Sequence, residues 1–305
     1  MYNVPDQTGK TFVITGANSG TGKEAAARLA GAGAQVIMAV RTPEKGERAK
    51  AEILADHPAA ELEVRRIDLA DLDSVRRFAD ELIASGQRVD VLVNNAGVMA
   101  PPTRHTTAEG FELQFGSNYL GPFALTMLLL PTLLRADRPR VTTMSSGTAW
   151  FGHIRLDDPQ WERRRYSPAL TYAQSKLADL MLSVSLSRVA EERGWALSST
   201  AAHPGYTHTN LQTAGASLGR ETPGRSILSR IDFLPSQQVR QGAEPLLFAA
   251  ADPAARSGEY YGPSGRFGLV GPTGTARIPR RANNAELGRR LWAEAERLTG
   301  TRLPA

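Results

Sequence analysis

Short apolar runs alternate along the chain with longer stretches in which apolar positions recur at helical spacing. Predicted strands cover Thr11–Thr15, Gln35–Val40, 62–67, Val89–Val93, Arg140–Ser145 and 196–202, and predicted helices cover 20–32, 43–56, 71–85, 108–135 and 171–193. The strands are apolar on both faces, which is typical of a parallel sheet covered by helices on each side. The pattern therefore predicts a doubly wound α/β fold, with residues 1–305 forming a single domain.

Two segments interrupt this alternation. Residues 146–170 are polar and contain Pro and Arg, and residues 204–237 are rich in Gly, Ser, Thr and Pro. Loops of this length are usually functional or disordered, and both follow strand ends where ligands bind in open α/β sheets. The segment 283–299 has the spacing of an amphipathic helix that closes the chain, with Asn283 or Asn284 as its N-cap.

Composition narrows the class of protein. Hydrophobic residues make up 41% of the chain and charged residues 22%, which suits a folded globular protein and excludes a disordered one. The absence of cysteine excludes disulfides, thiolate metal sites and cysteine nucleophiles. The formal net charge of +5 arises within residues 256–305, where basic side chains are spread out rather than clustered, so we expect no nucleic-acid partner.

The uncharged run Leu113–Leu134 is long enough to cross a bilayer. It contains Asn118, Pro122 and Pro131, so a helix buried against the sheet fits better, and we expect no membrane span. The N-terminus shows no basic and apolar export signal, and a cytoplasmic location is expected.

A glycine-rich segment directly follows the first predicted strand. It reads Thr-Gly-Ala-Asn-Ser-Gly-Thr-Gly over residues 15–22 and opens the first helix. Glycines let backbone amides approach a pyrophosphate, which the helix N-terminus attracts, although three glycines can also simply form a tight turn. The strand before and the helix after favour a nucleotide site. Its candidate cofactor-binding residues are Gly16, Asn18, Ser19, Gly20, Thr21 and Gly22.

Residues at the ends of the next strands indicate which nucleotide binds. Arg41 stands where a carboxylate would accept the ribose hydroxyls of NAD, and an arginine there offers a fork to a 2′-phosphate. NADP(H) is therefore favoured over NAD(H), with a solvated surface arginine as the alternative. Asp68 could accept the adenine amino group or equally cap the helix that begins near Asp71. The small residues Asn-Asn-Ala-Gly at 94–97 let the chain pass close to a cofactor, or form a turn.

The strongest chemical signal is Tyr172 followed by Lys176 on a predicted helix. Positions four apart share a face, so the ammonium lies near the phenol. A free phenol, with a pKa of about 10, transfers protons poorly near neutrality, and a nearby cation lowers that pKa. Ser146, after the fifth strand, can donate a hydrogen bond to a substrate carbonyl. Each residue alone has an ordinary structural explanation, but together they predict an active site.

These motifs establish a resemblance. The matching elements are TGANSGTG at 15–22, Asp68-Leu69, NNAG at 94–97, Asn118, Ser145-Ser146, Tyr172, Lys176, Pro204-Gly205 and Thr209. Over nearly its full length the chain resembles the short-chain dehydrogenase/reductase family. The resemblance implies a single-domain Rossmann fold, and hydride transfer between a nicotinamide cofactor and a substrate carbon without a metal.

The resemblance also implies residue roles. Tyr172 is the general acid in carbonyl reduction and the base in alcohol oxidation, while Lys176 lowers the phenol pKa and holds the nicotinamide ribose. Ser146 polarises the substrate oxygen, with Ser145 the weaker candidate. Asn118 anchors a water-linked proton relay, although a helix kink would also explain it. The implied cofactor-binding set adds Asp68, Leu69, Asn95, Ala96, Gly97, Tyr172, Lys176, Pro204, Gly205, Thr207 and Thr209 to the glycine segment and Arg41.

The chain departs from the usual family pattern between its candidate serine and tyrosine. Ser146 and Tyr172 lie 26 residues apart, about twice the family's usual separation. Such an insertion is similar to the retinol-dehydrogenase, protochlorophyllide-reductase-like and monomeric carbonyl-reductase branches, and it puts the family's tetramer in doubt, so a monomer or homodimer is expected. The insertion either shapes the substrate mouth or packs as a small satellite core. Its aromatic side chains include Trp150, Phe151, His153 and Trp161.

We therefore expect an NADP-dependent short-chain dehydrogenase/reductase that interconverts a carbonyl and an alcohol, usually as a carbonyl reductase. An apolar substrate is suggested by Trp150, Phe151, Ile227, Leu228, Phe233 and Leu234. One alternative is a non-catalytic NADP(H)-binding sensor on the same fold, which should lack the tyrosine or the lysine. Another is a reductase of an activated carbon–carbon double bond.

Overall fold

The computed structural model describes residues 2–207 and 235–304. Its strands are β1 Thr11–Thr15, β2 Gln35–Val40, β3 Glu61–Arg66, β4 Val91–Asn94, β5 Arg140–Met144, β6 Ser198–Ala202, β7 Tyr260–Pro263 and β8 Thr273–Thr275. The described residues form one eight-stranded sheet in the order β3-β2-β1-β4-β5-β6-β7-β8. Neighbouring strands are parallel except β7 and β8. The strand order reverses between β1 and β4, which in such sheets opens a crevice at the carboxyl edge.

Helices cover both faces of the sheet. They are α1 Gly20–Gly31, α2 Pro43–Asp56, α3 Leu72–Ala84, α4 Leu113–Phe115, α5 Gly121–Leu133, α6 Pro168–Arg193, α7 Val239–Gly242, α8 Glu244–Ala251 and α9 Ala285–Thr299. One apolar core joins the sheet to α3, α5, α6 and α9, and a second joins it to α1, α2 and α8. The predicted Rossmann-like α/β domain is therefore confirmed.

Local chemistry explains where the helices begin and end. Asp71 caps α3 by accepting a hydrogen bond from the Ser74 amide, and Asn284 does the same for α9 at Leu287. Helix α6 ends at Gly194, whose φ of 67° is the left-handed conformation that glycine adopts without strain. The predicted closing helix is thus present, and Asn284 rather than Asn283 is its cap.

The prediction of one continuous helix over residues 108–135 is wrong. Helix α4 begins only at Leu113, because the Glu112 carboxylate accepts hydrogen bonds from the amides of Gln114 and Phe115. A π-helical turn, Gly116–Leu120, then separates α4 from α5. Such turns insert an extra residue per turn and often lie at functional sites.

Among the described residues of the last third of the chain, the sequence pattern missed the helices α7 and α8 and the strands β7 and β8. Strand β7 has the sequence Tyr-Tyr-Gly-Pro, in which the glycine and proline are typical of a turn. Helices α7 and α8 are short, and α8 is apolar almost throughout, so it has no amphipathic stripe to detect.

The uncharged run 113–134 is buried within the domain. The ring of Phe123 on α5 meets Trp292 on α9 edge to face, with 5.0 Å between ring centroids. In residues 2–207 and 235–304, no helix has the length and apolar character needed to cross a membrane.

The insertion divides its aromatic residues between two environments. A 3₁₀ helix, Gly147–Phe151, follows Ser146, and α6 begins at Pro168, three residues earlier than predicted. Trp161 is buried, and the Arg164 guanidinium lies 3.7 Å from its ring centroid. Trp150 and Phe151 are 42% and 70% exposed. The satellite core therefore exists around Trp161, while the other two rings face solvent.

Candidate active site

A cavity of about 620 Å³ lies at the carboxyl edge of the strands β1, β2 and β4. It occupies the place where the strand order reverses, between the glycine segment and the loop after β4. The predicted cofactor-binding residues in its wall are Gly16, Asn18, Ser19, Gly20, Thr21, Arg41, Asp68, Leu69, Asn95, Ala96 and Gly97.

The glycine segment is held by Asn95. The Asn95 amide nitrogen donates to the Thr15 backbone oxygen at 2.9 Å, and its amide oxygen accepts from the Thr21 hydroxyl at 2.9 Å. A Cβ atom on Gly22 would lie 2.4 Å from the Asn95 amide nitrogen and 2.5 Å from the Gly16 oxygen. Gly22 is thus required for close packing behind the cavity wall and does not itself line the cavity.

Asp68 does not cap helix α3. Asp71 holds the cap position, and the Asp68 carboxylate accepts a 2.9 Å hydrogen bond from the Ala70 amide. The Asp68 amide in turn donates to the Ser74 hydroxyl. The capping alternative is therefore wrong, and Asp68 stands in the cavity wall with its loop fixed by these bonds.

Three cations line one end of the cavity. Arg41 was expected there, whereas Lys45 and Arg48 on α2 were missed. Within the described parts of the chain none of the three forms an ion pair, and the nearby Glu52 pairs with Lys23 instead. The signal was present in the sequence, because positions 45 and 48 are three apart on a helix and share a face.

Ser146 and Tyr172 meet at the end of β5. The Ser146 hydroxyl accepts a 3.2 Å hydrogen bond from the Thr148 amide, and it lies close enough to the Tyr172 phenol to lower the pKa of that group. Ser145 is buried and donates at 2.7 Å to the Lys176 backbone oxygen. Ser146, and not Ser145, therefore faces the candidate proton-transfer group.

The Lys176 ammonium is buried beneath the cavity wall. Its Nζ lies 6.0 Å from the Tyr172 ring centroid and donates to the Met144 backbone oxygen at 2.9 Å. It also donates to Asp179 Oδ2 at 2.7 Å. A Cβ atom on Gly97 would lie 3.6 Å from Nζ, which places the ammonium beside the cavity. Asp179 was missed by the sequence reasoning, although it follows Lys176 at helical i,i+3 spacing.

The charges around Tyr172 oppose one another. Burial raises the pKa of the Tyr172 phenol, and the Lys176 charge and the Ser146 hydroxyl lower it. The charge of Asp179 raises it again, so the net pKa lies above its ordinary value. Burial lowers the pKa of Lys176, but the charges of Asp179 and Tyr172 outweigh it and the net pKa is raised. The Lys176 charge thus lowers the pKa of Tyr172, as expected, but by less than burial raises it. Near neutral pH the phenol keeps its proton and the lysine stays charged.

Asn118 lies on the π-helical turn and is buried. Its amide nitrogen donates to the Val98 oxygen and the Ser175 hydroxyl, each at 2.9 Å, and its amide oxygen accepts from the Val98 amide at 2.7 Å. The irregular helix agrees with the kink alternative. The side chain fastens the loop after β4 to α6, one residue before Lys176.

The turn after β6 is rigidly packed. Gly205 has a φ of 62°, and a Cβ atom there would lie 2.3 Å from the Leu269 oxygen. The Gly205 amide donates to the buried His203 ring, whose pKa burial lowers to about 4. Pro204 and Thr207 belong to the same turn. Thr209, with the predicted lining residues Ile227, Leu228, Phe233 and Leu234, lies outside the described residues.

The sequence matches known proteins over nearly its whole length. A family model described as short chain dehydrogenase matches residues 10–217. The chain belongs to this family of oxidoreductases. Human retinol dehydrogenase 13 is 39% identical over 97% of this chain and 86% of its own length. Mouse polyprenol dehydrogenase is 38% identical, with the same two shares. The expected likeness to the retinol-dehydrogenase branch of the short-chain dehydrogenases is confirmed.

Solved structures agree with this assignment. A crystal structure of an uncharacterised protein from Mycobacterium paratuberculosis is similar with a TM-score of 0.82 and 43% identity, covering 99% of this chain and 98% of that one. A crystal structure from Beutenbergia cavernae, described as an NAD(P)-dependent gluconate 5-dehydrogenase with NADP bound at low occupancy, has a TM-score of 0.60 and 29% identity. It covers 82% of this chain and 92% of that one.

Proposed function

We propose that this chain is an NADP(H)-dependent oxidoreductase that interconverts a carbonyl and an alcohol on an apolar small molecule. The observation that carries the proposal is the cluster of Ser146, Tyr172 and Lys176, whose ammonium lies beside Gly97 in the cavity wall. A protein that only bound the nucleotide would have no need of a buried phenol and ammonium at this place.

The residues around the cavity fit a nicotinamide dinucleotide phosphate. Gly16 in the cavity wall has a φ of 69°, which glycine adopts without strain, and backbone amides at the start of α1 suit a pyrophosphate. The cations Arg41, Lys45 and Arg48, which form no ion pair with the described residues, suit a 2′-phosphate. We assign the adenine amino group to Asp68, and the nicotinamide ribose to Lys176. When bound, the cofactor supplies or accepts the hydride.

The chain's own residues transfer one proton to or from the substrate oxygen. In reduction, the Ser146 hydroxyl donates a hydrogen bond to the carbonyl oxygen and fixes its position. Tyr172 gives its phenolic proton to that oxygen as the oxygen becomes an alcohol, and the resulting phenolate is stabilised by the Lys176 ammonium. Alcohol oxidation is the reverse and needs the phenolate first. Because the pKa of Tyr172 is raised, we expect reduction near neutral pH and oxidation only in alkaline solution.

An apolar substrate is supported by the insertion and by the relatives. Trp150 and Phe151 are exposed on the 3₁₀ helix that begins directly after Ser146. The relatives are named for retinol and polyprenol, which are apolar alcohols. We infer a hydrophobic ketone, aldehyde or the matching alcohol as substrate. The monomeric or homodimeric state stays a prediction from the sequence. The cytoplasmic location stays a prediction from the sequence.

The experiment is a substrate screen with product identification. Purified protein is supplied with NADPH or NADH and a panel of apolar aldehydes, aryl ketones, quinones and enals, and cofactor oxidation is followed by absorbance. Products are then separated by chromatography. We expect NADPH-dependent formation of alcohols from the more apolar carbonyls.

Saturation of the carbon–carbon bond of an enal, with its carbonyl intact, would replace this proposal by double-bond reduction. Tight NADPH binding without turnover on any member of the panel would favour the sensor. Equal rates with NADH would contradict the assignment of the three cations to a 2′-phosphate.

A further inference from the structure

A carboxylate is buried directly behind the proposed active-site lysine. Asp179 is 1% exposed, and its Oδ2 accepts the 2.7 Å hydrogen bond from Lys176 Nζ. Its other oxygen, Oδ1, has no hydrogen-bond partner within the described residues. A buried carboxylate with an unsatisfied oxygen lowers the stability of the folded state. We therefore infer that Asp179 has a role beyond packing.

The ion pair leaves the ammonium one free donor. An ammonium has three N–H groups, and two of them point to Asp179 and the Met144 oxygen. The third is left for the cavity side, where Nζ lies beside Gly97. Asp179 therefore fixes the direction in which Lys176 is able to bind a ribose hydroxyl.

The carboxylate also acts on the groups that face it. Tyr172 and Lys176 face it from its own helix, Tyr119 from the π-helical turn and Tyr260 from β7. Burial raises the pKa of Asp179 and the charge of Lys176, the cation among these groups, lowers it, which leaves a net pKa of about 6. Above that pH the Asp179–Lys176 pair is close to neutral, so less positive charge acts on the phenol of Tyr172 than a lone lysine would supply.

We propose that Asp179 is a positioning residue that holds Lys176 as an ammonium and, by offsetting its charge, keeps the proton on Tyr172, so that the site favours carbonyl reduction. This rests on the proposed function. Asp179 contacts neither the substrate nor the phenol; it acts through Lys176.

The sign of its effect follows from the charge of the cluster. Tyr172 and Lys176 titrate as a coupled pair, so their first proton loss belongs to the pair rather than to either residue. Replacing Asp179 by asparagine removes one negative charge from that cluster. The first proton then leaves at lower pH, whichever of the two residues loses it.

The direct test is a titration of the Tyr172 phenolate by ultraviolet absorbance. Asp179→Asn keeps the shape of the side chain and an oxygen that accepts from Lys176. The absorbance of Tyr172→Phe, measured in each background, is subtracted to isolate Tyr172. We expect the midpoint in Asp179→Asn to fall by roughly one pH unit, which is the effect of one nearby charge.

The matched control is Asp90→Asn. Asp90 directly precedes β4, at the amino ends of the parallel strands and away from the cavity. Asp90 is also buried, accepts from the Thr11 amide at 2.9 Å and pairs with Arg88. It should leave the Tyr172 midpoint in place whatever it does to stability. A midpoint in Asp179→Asn that stays where it is, or that rises, would overturn the proposal.

Alcohol oxidation gives a second readout. In Asp179→Asn the rate should begin to rise at lower pH than in the unmodified protein, whereas loss of packing alone would lower kcat at every pH. If the unmodified protein oxidises no alcohol, the proposed function fails, but the phenolate titration still decides the role of Asp179. If Asp179→Asn does not fold, Asp179→Ser removes the same charge and is titrated in its place. A lower midpoint would support the proposal, and an unchanged or higher midpoint would overturn it.

Discussion

The Ser145 hydroxyl donates a 2.7 Å hydrogen bond to the backbone oxygen of Lys176. This bond ties the end of β5 to the third turn of α6. Since neighbouring residues of an extended chain point in opposite directions, Ser146 is then directed to the other side, where it meets the Tyr172 phenol. A buried serine that takes no part in the proposed chemistry thus sets the position of the one that does.

Cofactor preference should depend on Arg41. We expect Arg41→Ala to lower kcat/KM with NADPH roughly tenfold or more, because a charged hydrogen bond to the 2′-phosphate is lost, while the value with NADH changes little. Arg41→Asp should shift the preference further toward NADH. Steady-state kinetics with both cofactors measure the ratio. Lys50→Ala, on the same helix as Lys45 but outside the cavity wall, is the control. An unchanged ratio in Arg41→Ala would assign the phosphate to other groups.

Gly22 should tolerate no side chain. A Cβ atom there would stand 2.4 Å from the Asn95 amide nitrogen and 2.5 Å from the backbone of Gly16. We expect Gly22→Ala to destabilise the fold by about 1–3 kcal/mol, as overpacking does, and to weaken NADPH binding because the glycine segment moves. Denaturant unfolding and cofactor titration measure the two effects. At the control position Gly288 on α9, the nearest atom to an added Cβ is the rotatable Ser185 hydroxyl at 3.0 Å, so Gly288→Ala should leave NADPH affinity intact.

Stability should fall in acid partly through His203. Burial lowers its pKa from 6.5 to about 4, so between these values the unfolded chain binds a proton that the folded chain does not. The stability from neutral His203 is therefore present above pH 6.5 and is lost as pH falls toward 4, amounting to about 3 kcal/mol for a shift of this size.

The measurement is the free energy of unfolding at several pH values in this window for the unmodified protein and His203→Gln. The variant should lose less stability on acidification. Asp179 titrates in an overlapping window with the opposite sign, but its contribution is common to both proteins and cancels in the comparison. Parallel pH curves for the two proteins would show that His203 is not the titrating group.

Substitutions in the two aromatic environments of the insertion should have different effects on stability and on KM. Trp161 is 6% exposed, so Trp161→Ala should cost about 3–5 kcal/mol of unfolding free energy. Phe151 is 70% exposed, so Phe151→Ala should change stability by less than about 0.5 kcal/mol while raising KM for an apolar substrate. Denaturant unfolding and steady-state kinetics distinguish them. A KM that does not respond to Phe151→Ala would place the substrate elsewhere.

The sequence predicted the first six strands and most of the helices, because each alternation of apolar runs corresponds to one layer of a covered parallel sheet. It also located the glycine segment, Arg41 and the Tyr172–Lys176 pair, since these depend on local spacing. What it missed depends on contacts between distant segments. The sequence did not show which of Asp68 and Asp71 caps α3. The hydrogen bond from the Ser74 amide to the Asp71 side chain identifies Asp71 as the cap.

Burial is the other property that a single sequence conceals. Nothing in the spacing of Tyr172 and Lys176 shows that both are removed from water, and it is this removal that raises the pKa of the phenol despite the nearby ammonium. Asp179 was overlooked for the same reason. On a solvated helix, an aspartate three residues after a lysine would contribute little.

We propose that Tyr172 supplies the proton in a site that binds NADP(H) independently of it. The most direct test compares kcat for carbonyl reduction and the Kd for NADPH in the unmodified protein, Tyr172→Phe and the control Tyr261→Phe, whose hydroxyl is held by Glu259 on the far side of the sheet. We expect Tyr172→Phe to lose about 10²–10⁴-fold in kcat, with a Kd for NADPH within about threefold and Tyr261→Phe unaffected. Turnover by Tyr172→Phe at a rate close to that of the unmodified protein would contradict the mechanism.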